Sequence, residues 1–284
     1  NLNAEGPSGG PFTPAGKSYR LENLDDSSLT YSVSNIQPWV TITNPGGILG
    51  AGDTAMVTVE FNENANTLSN GQYTDIVSFV NETNHDGDTQ RNVKLTVGMD
   101  VVYEWNLDND PGWDIEGLWA FGIPTGQGGQ YGGPDPTSGY TGTNVYGYNL
   151  DGDYENNLEE THLTTASFDC SQYYNTRLRF QRWLGVEQPA YDHAYIKIST
   201  DSINWNIIWE NKGEIADTSW QRYDVDISAY ADGEETVYLR WTIGPTDGSW
   251  QYCGWNIDDI QIFGISVEQS PLIFNYPDGR PDYV

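Results

Sequence analysis

Ala55-Met56-Val57-Thr58-Val59-Glu60-Phe61 sets the fold class. Ala55, Val57, Val59 and Phe61 are apolar, while Thr58 and Glu60 between them are polar. A period of two puts successive side chains on opposite faces of a strand, so that one face can be buried. The same period runs through Asp75-Ile76-Val77-Ser78-Phe79 and Asn92-Val93-Lys94-Leu95-Thr96-Val97. It returns in Tyr195-Ile196-Lys197-Ile198 and Val237-Tyr238-Leu239-Arg240-Trp241. Clusters of Gly, Asn, Asp and Pro separate these runs, and helical periodicity is almost absent. The expectation is an all-β chain of antiparallel strands packed as sandwiches.

The texture changes near Gly98–Asp100. Residues 1–99 read as about seven short strands, the size of an immunoglobulin-like sandwich, with Trp39 as its core aromatic. Residues 100–265 are richer in Trp and Asp and carry long Gly/Pro/Tyr loops between Pro124 and Gly152. They read as a second all-β domain, a jelly-roll β-sandwich. Residues 266–284 hold a Pro277-Asp278-Gly279 turn signal and read as a linker plus the start of a further module. The length of 284 residues fits two domains. The chain opens at Asn1 without a signal-peptide pattern, and the expectation is a mature or excised portion of something longer.

Charge narrows the partners. The chain has 41 Asp and Glu against 12 Lys and Arg, a formal charge of −29. Phosphate backbones and anionic lipids need clustered Lys and Arg, so nucleic acid and membrane surfaces are excluded as partners. No apolar run approaches the roughly 18–20 residues that span a bilayer. The aromatic content is too high for a disordered acidic tail. The chain reads as secreted or cell-surface.

Between Lys94 and Arg177 there are 13 acidic residues and no Lys or Arg. Crowded carboxylates repel unless something neutralises them. Hard oxygen ligands of this kind suit Ca²⁺. Three clusters qualify: Glu104 with Asp108 and Asp110, then Asp151-Gly152-Asp153-Tyr154-Glu155, then Asn256-Ile257-Asp258-Asp259. Asp192 is a fourth contributor. The twelve-position EF-hand pattern fails here. The plainer alternative is that these acids are solvated and serve Asx-turns. Parity is ambiguous in the last cluster, because Ile260 and Ile262 share a face with Asp258 while Ile257 shares one with Asp259. A β-bulge there would resolve it.

Two resemblances add to this reading. Residues 6–98 carry Gly9-Gly10-Pro11-Phe12, Tyr19-Arg20-Leu21-Glu22-Asn23, Pro38-Trp39-Val40 and Gly71-Gln72-Tyr73-Thr74. This stretch resembles the BACON-like, immunoglobulin-like modules of secreted bacterial hydrolases. The resemblance implies a spacer or a carbohydrate- or mucin-binding module without catalysis. Residues 101–264 carry Trp119-Ala120-Phe121-Gly122-Ile123-Pro124, Tyr191-Asp192-His193-Ala194 and Cys253-Gly254-Trp255-Asn256-Ile257-Asp258-Asp259-Ile260. They resemble the MAM and cleaved-adhesin jelly rolls of secreted bacterial peptidases. That resemblance implies a calcium ion tying the opening strand to the closing one, through Glu104 or Asp108 with Asp258 or Asp259. Cys170 and Cys253 are expected to form a disulfide, the alternative being two separate buried thiols.

Catalytic signatures are missing. His85, His162 and His193 are scattered, and no HExxH, zinc spacing, Gly-x-Ser-x-Gly elbow or phosphate loop occurs. Aromatics are the better lead, since sugars stack on Trp and Tyr faces. The loops offer Trp119, Tyr131, Tyr140, Tyr146, Tyr148, Trp250 and Tyr252 as candidate ligand contacts. Trp183, Trp205, Trp209, Trp220 and Trp241 fall within strand patterns and read as core. The resulting expectation is a non-catalytic accessory region of a secreted bacterial exoenzyme such as a peptidase, binding extracellular glycan or glycoprotein. A structural module contacting neighbouring protein chains is the second reading, and a lyase or glycosidase fragment the third.

Overall fold

The computed structural model describes residues 1–267, together with the backbone of Ile273–Asn275 and Pro281–Tyr283. The chain is all-β and divides into two compact units, Asn1–Val101 and Val102–Val284.

The first unit is a sandwich of eight strands: β1 (Leu2–Gly6), β2 (Gly16–Glu22), β3 (Leu29–Ser34), β4 (Val40–Thr43), β5 (Gly46–Leu49), β6 (Thr54–Phe61), β7 (Gly71–Asn81) and β8 (Thr89–Val97). One sheet has the order β1-β8-β7-β3-β5 and the other β2-β6-β4. The stretch that set the fold class is β6. Val57 and Val59 are fully buried, while Met56 on the other face is exposed. Trp39 is buried and stacks on Phe61 with ring centroids 6.0 Å apart. One pairing departs from the antiparallel expectation, because β1 runs parallel to β8.

The second unit holds β9 (Met99–Trp105), which crosses the division, then β10 (Asp114–Ile115), β11 (Trp119–Gly122), β12 (Val145–Tyr148), β13 (Thr161–Thr164) and β14 (Tyr173–Val186). After these come β15 (Ala194–Ser199), β16 (Asn206–Glu210), β17 (Ile215–Ala216), β18 (Gln221–Asp226), β19 (Tyr238–Ile243) and β20 (Gly254–Ser266). A five-stranded sheet, β10-β13-β19-β15-β16, faces a seven-stranded sheet. The latter runs β11-β12-β20-β14-β17, with β18 also on β14 and β9 also on β20. Both sheets contribute to one core cluster, including Trp241 and Ile196 from the first and Phe180, Trp255 and Ile262 from the second.

The bulge in β20 is present. Arg179 pairs with Gln261 but Gln181 pairs with Asp258, so Asp259 and Ile260 together oppose Phe180 alone. Asp259 has φ 45°, in the left-handed region. The extra residue lets Ile257, Ile260 and Ile262 all reach the core while Asp258 stays on the outer face.

The disulfide is not formed. Cys170 and Cys253 are both free and buried. Cys170 lies just before the start of β14, whereas Cys253 abuts Gly185 near its far end. At about 3.3 Å per residue those ends are roughly 40 Å apart, and a disulfide needs Cα atoms within about 7 Å. Most of the expected linker at 266–284, including the Pro277-Asp278-Gly279 turn signal, lies outside the described residues. Within it, Ile273–Asn275 pairs antiparallel with Pro281–Tyr283.

Candidate functional site

β14 builds the floor of the site. Its alternation sends Leu178, Phe180, Arg182 and Leu184 into the core, which leaves Arg179, Gln181 and Trp183 on the outer face. Trp183 pairs across to Asn256, and Gln181 to Asp258, so all four share the outer face of the seven-stranded sheet.

The Gly-rich loop after β11 folds down onto this face and is pinned there by side chains. Trp183 Nε1 donates to the carbonyl of Pro134 at 3.0 Å. Asn256 Nδ2 donates to Asp135 Oδ1 at 2.7 Å. The Thr141 amide donates to Asp258 Oδ2 at 3.0 Å, and the Asp259 amide to Asp258 Oδ1 at 2.8 Å. Glycine is required where the loop turns tightly. Gly129 has φ 80°, and a Cβ there would lie 2.5 Å from the main chain of Gly133 and Pro134.

Between the pinned loop and the sheet lies an open cleft of about 450 Å³. Pro134–Gly139 form one wall, and Trp183, Thr218 and Trp220 the other. Trp220 meets Trp183 edge-on at 6.0 Å, and Tyr140, half exposed, meets Trp220 edge-on at 6.5 Å. Thr137, Ser138 and Thr218 put polar groups on the rim. Asp135 is only 2% exposed and its Oδ2 has no hydrogen-bond partner. Burial, reinforced by the Asp153 and Asp151 charges and opposed by the Asn256 hydrogen bond, pushes its carboxyl up to about 8. The acid form therefore prevails at neutral pH. A concave site with apolar ring faces, a polar rim and this volume suits a small polar ligand with an apolar face, as a sugar ring has.

The candidate ligand contacts divide sharply. Trp119, Tyr146, Tyr148 and Tyr252 are buried and present no open face. Their polar tips are also spent inside the domain. Trp119 Nε1 donates to the Thr161 carbonyl, Tyr146 to Asp110, Tyr148 to Glu155 and Tyr252 to Glu214. These four pack the long connections rather than a ligand. Tyr131, Tyr140 and Trp250 do reach the surface, with Trp250 50% exposed and stacked on Tyr131 at 4.8 Å. Trp250 has φ 57°, a conformation that side chains rarely adopt and that aims its ring outward at a cost in backbone strain. Trp183 and Trp220, read as core from the sequence, are half-buried on the cleft. The signal was in the period of β14, which groups Trp183 with Arg179 and Gln181 rather than with Leu178 and Phe180.

The candidate metal ligands are spread over several places. Asp153 accepts from the amides of Gly129 and Gln130 at 2.6 and 3.1 Å. Glu155 takes the Tyr148 hydroxyl, and Asp151 is exposed. Near β20, Asp259 takes the Thr141 hydroxyl at 2.7 Å, and Gln261 Nε2 donates to Glu104 Oε1 at 2.5 Å. Glu104 and Asp108 raise the Asp259 carboxyl after burial does. Asp258 has both oxygens occupied by backbone donors, and burial pushes its carboxyl up to about 6. Among the described residues, the group of three or more His, Cys, Asp or Glu side chains whose possible ligand atoms all lie within 4.8 Å of one another is Glu187, Asp192 and Asp247. Asp192 alone belongs to the set expected from the sequence.

Comparison with known proteins leaves the family open. No protein-family profile matches the chain. Bacillopeptidase F of Bacillus subtilis (strain 168) is 25% identical over 197 residues, which take in 66% of this chain and 13% of that protein. The chain thus matches a small part of that relative's length. Among solved structures, the K1 cleaved adhesin domain of Lys-gingipain from Porphyromonas gingivalis W83 is 15% identical, with a TM-score of 0.37 over 56% of this chain and 96% of the other. The CBM22-1 xylan-binding domain of Paenibacillus barcinonensis Xyn10C is 13% identical, with a TM-score of 0.36 over 60% of this chain and 97% of the other. No described helix is long and apolar enough to cross a membrane.

Proposed function

We propose that the second unit is a non-catalytic glycan-binding module, an accessory part of a secreted or cell-surface bacterial protein. The observation that carries this reading is the cleft walled by Trp183 and Trp220 on the outer face of the seven-stranded sheet. A sugar ring stacks its C–H face on an indole while rim hydroxyls hold its hydroxyls. The partial identity to Bacillopeptidase F supports an exoenzyme such as a peptidase as the parent, with this chain serving attachment or targeting. The ligand class is extracellular polysaccharide or the glycan of a glycoprotein.

Affinity electrophoresis through a panel of polysaccharides tests the site. The wild-type chain is retarded by at least one of them, and Trp183→Ala weakens that binding at least tenfold, about 1.4 kcal/mol. Trp250→Ala, on the separate Tyr131 stack, leaves it within about twofold. Far-UV circular dichroism and the melting temperature verify that each variant is folded. Retardation by none of the polysaccharides, or full retention in Trp183→Ala, overturns the proposal.

A further inference from the structure

Glu187 and Asp192, both in the connection between β14 and β15, meet Asp247 from the connection between β19 and β20. Glu187 directly follows β14, Asp192 precedes β15, and Asp247 lies in the loop between β19 and β20. Glu187 is 5% exposed and Asp192 fully buried. Asn211 Nδ2 locks two of them in place by donating to the main-chain oxygens of Glu187 and Asp192 at 3.0 and 3.1 Å. Asp192 Oδ2 accepts the Tyr154 hydroxyl at 2.5 Å, and its Oδ1 accepts the Asp247 amide at 2.8 Å. Asp247 Oδ1 is held by the Ser249 amide and hydroxyl at 2.8 and 3.2 Å. Glu187 Oε2 is different, being buried with no hydrogen-bond partner. The charges acting on Glu187 come from Asp192, Asp247 and Glu214, all negative.

A buried, unpaired carboxylate oxygen among like charges is costly unless a cation or proton meets it. The three carboxylates lie within 4.8 Å of one another, and two oxygens each about 2.4 Å from one calcium ion are at most about 4.8 Å apart. We infer that Glu187, Asp192 and Asp247 hold a calcium ion, with Glu187 bringing a buried carboxylate whose Oε2 has no hydrogen-bond partner. Calcium is favoured over softer metals by an all-oxygen set that contains neither His nor Cys. The ion would tie together the ends of β14, β15 and β19. It would also brace the aromatic column above them. Tyr154, bonded to Asp192, stacks on Tyr252 at 6.4 Å, Tyr252 meets Tyr131 at 6.1 Å, and Tyr131 carries the exposed Trp250.

The test uses the full chain, stripped with EDTA and dialysed into metal-free buffer. Calcium chloride raises the melting temperature of the wild type and binds in calorimetry, because a ligand of the folded state alone stabilises it. Glu187→Gln keeps the shape of the side chain, removes its charge and loses that rise, with calcium binding at least tenfold weaker. Asp258→Asn keeps the rise. Should metal-free Glu187→Gln lack the wild-type circular dichroism, Asp247→Asn supplies the same reading. No calcium-dependent rise in the wild type overturns the proposal, and the trio then shares protons instead. A rise retained in the Glu187 or Asp247 variant, or lost in Asp258→Asn while kept in Glu187→Gln, overturns it equally.

Discussion

Arg182 and Trp183 occupy the places that hydrophobicity alone would exchange. Arg182 points into the sandwich, where its Nε reaches Asp217 Oδ2 at 2.9 Å and its Nη2 reaches Oδ1 at 3.2 Å. Its guanidinium also lies 4.5 Å from the Tyr223 ring centroid. Breaking such a buried pair costs about 3–5 kcal/mol, so the inward arginine is held by its partner. Trp183 is thereby released to the outer face. Asp135 is the other residue whose setting sets its chemistry. Its carboxyl is held at about 8 against an ordinary value of 3.8. Between those values the folded chain keeps a proton that the unfolded chain has released. The stability this contributes is complete below the unfolded value and is lost as pH rises through the folded one. Urea unfolding across the pH range should therefore show wild-type stability falling relative to Asp135→Asn. The slope is up to about 1.4 kcal/mol per pH unit between about pH 4 and pH 8, and flat above. A constant difference between the two proteins would show that Asp135 ionises normally.

At the scale of one strand, the bulge in β20 decides what the closing segment can do. Ile257 before it and Ile260 and Ile262 after it share the core only because Asp259 is an extra residue. Deleting Asp259 turns either Ile257 or the Ile260–Ile262 pair to the outer face, and every side chain beyond changes sides with it. The deletion should abolish the cooperative thermal transition of the second unit and red-shift its tryptophan emission. Native emission together with an unchanged transition would mean that the register is set elsewhere. The alternation in β6, β7 and β8 was legible directly, because each is half buried and regular. The parity of β20 was legible as a conflict, and a bulge was its named solution. The inward arginine of β14 was not, because its justification, Asp217, lies more than thirty residues away in sequence.

Across the whole molecule, long-range placement governs the cysteines and the acids alike. Cys170 and Cys253 sit at opposite ends of β14, so oxidising conditions cannot join them within one chain. Burial, with the Asp169 and Asp232 charges, pushes the Cys170 thiol up to about 12, and burial also raises Cys253 well above its ordinary value. Thiolate is the reactive form, so both should ignore Ellman's reagent in the native chain. Without any reductant, two thiols should titrate in guanidinium. None would do so if the pair were bridged. Of the acids, the large excess in the second unit was plain from composition, and so was the expectation of a cation. Which acids converge was hidden. Glu187 and Asp247 carry no motif, and only the meeting of the β14–β15 and β19–β20 loops brings Asp247 to Glu187 and Asp192.

The sequence by itself determined the all-β class and the strands that alternate with period two. It also determined the charge balance, 41 acidic residues against 12 basic ones. Those properties are local or additive, so they can be read along the chain. Only the tertiary structure decided which aromatics face solvent, which carboxylates share a site and whether the cysteines can meet. Trp119 and Trp183 are both tryptophans in aromatic-rich segments, yet one is core and the other lines the cleft. Their fates depend on which face of which sheet each side chain meets and on what packs there. Those contacts join residues far apart in sequence, and no local pattern encodes them.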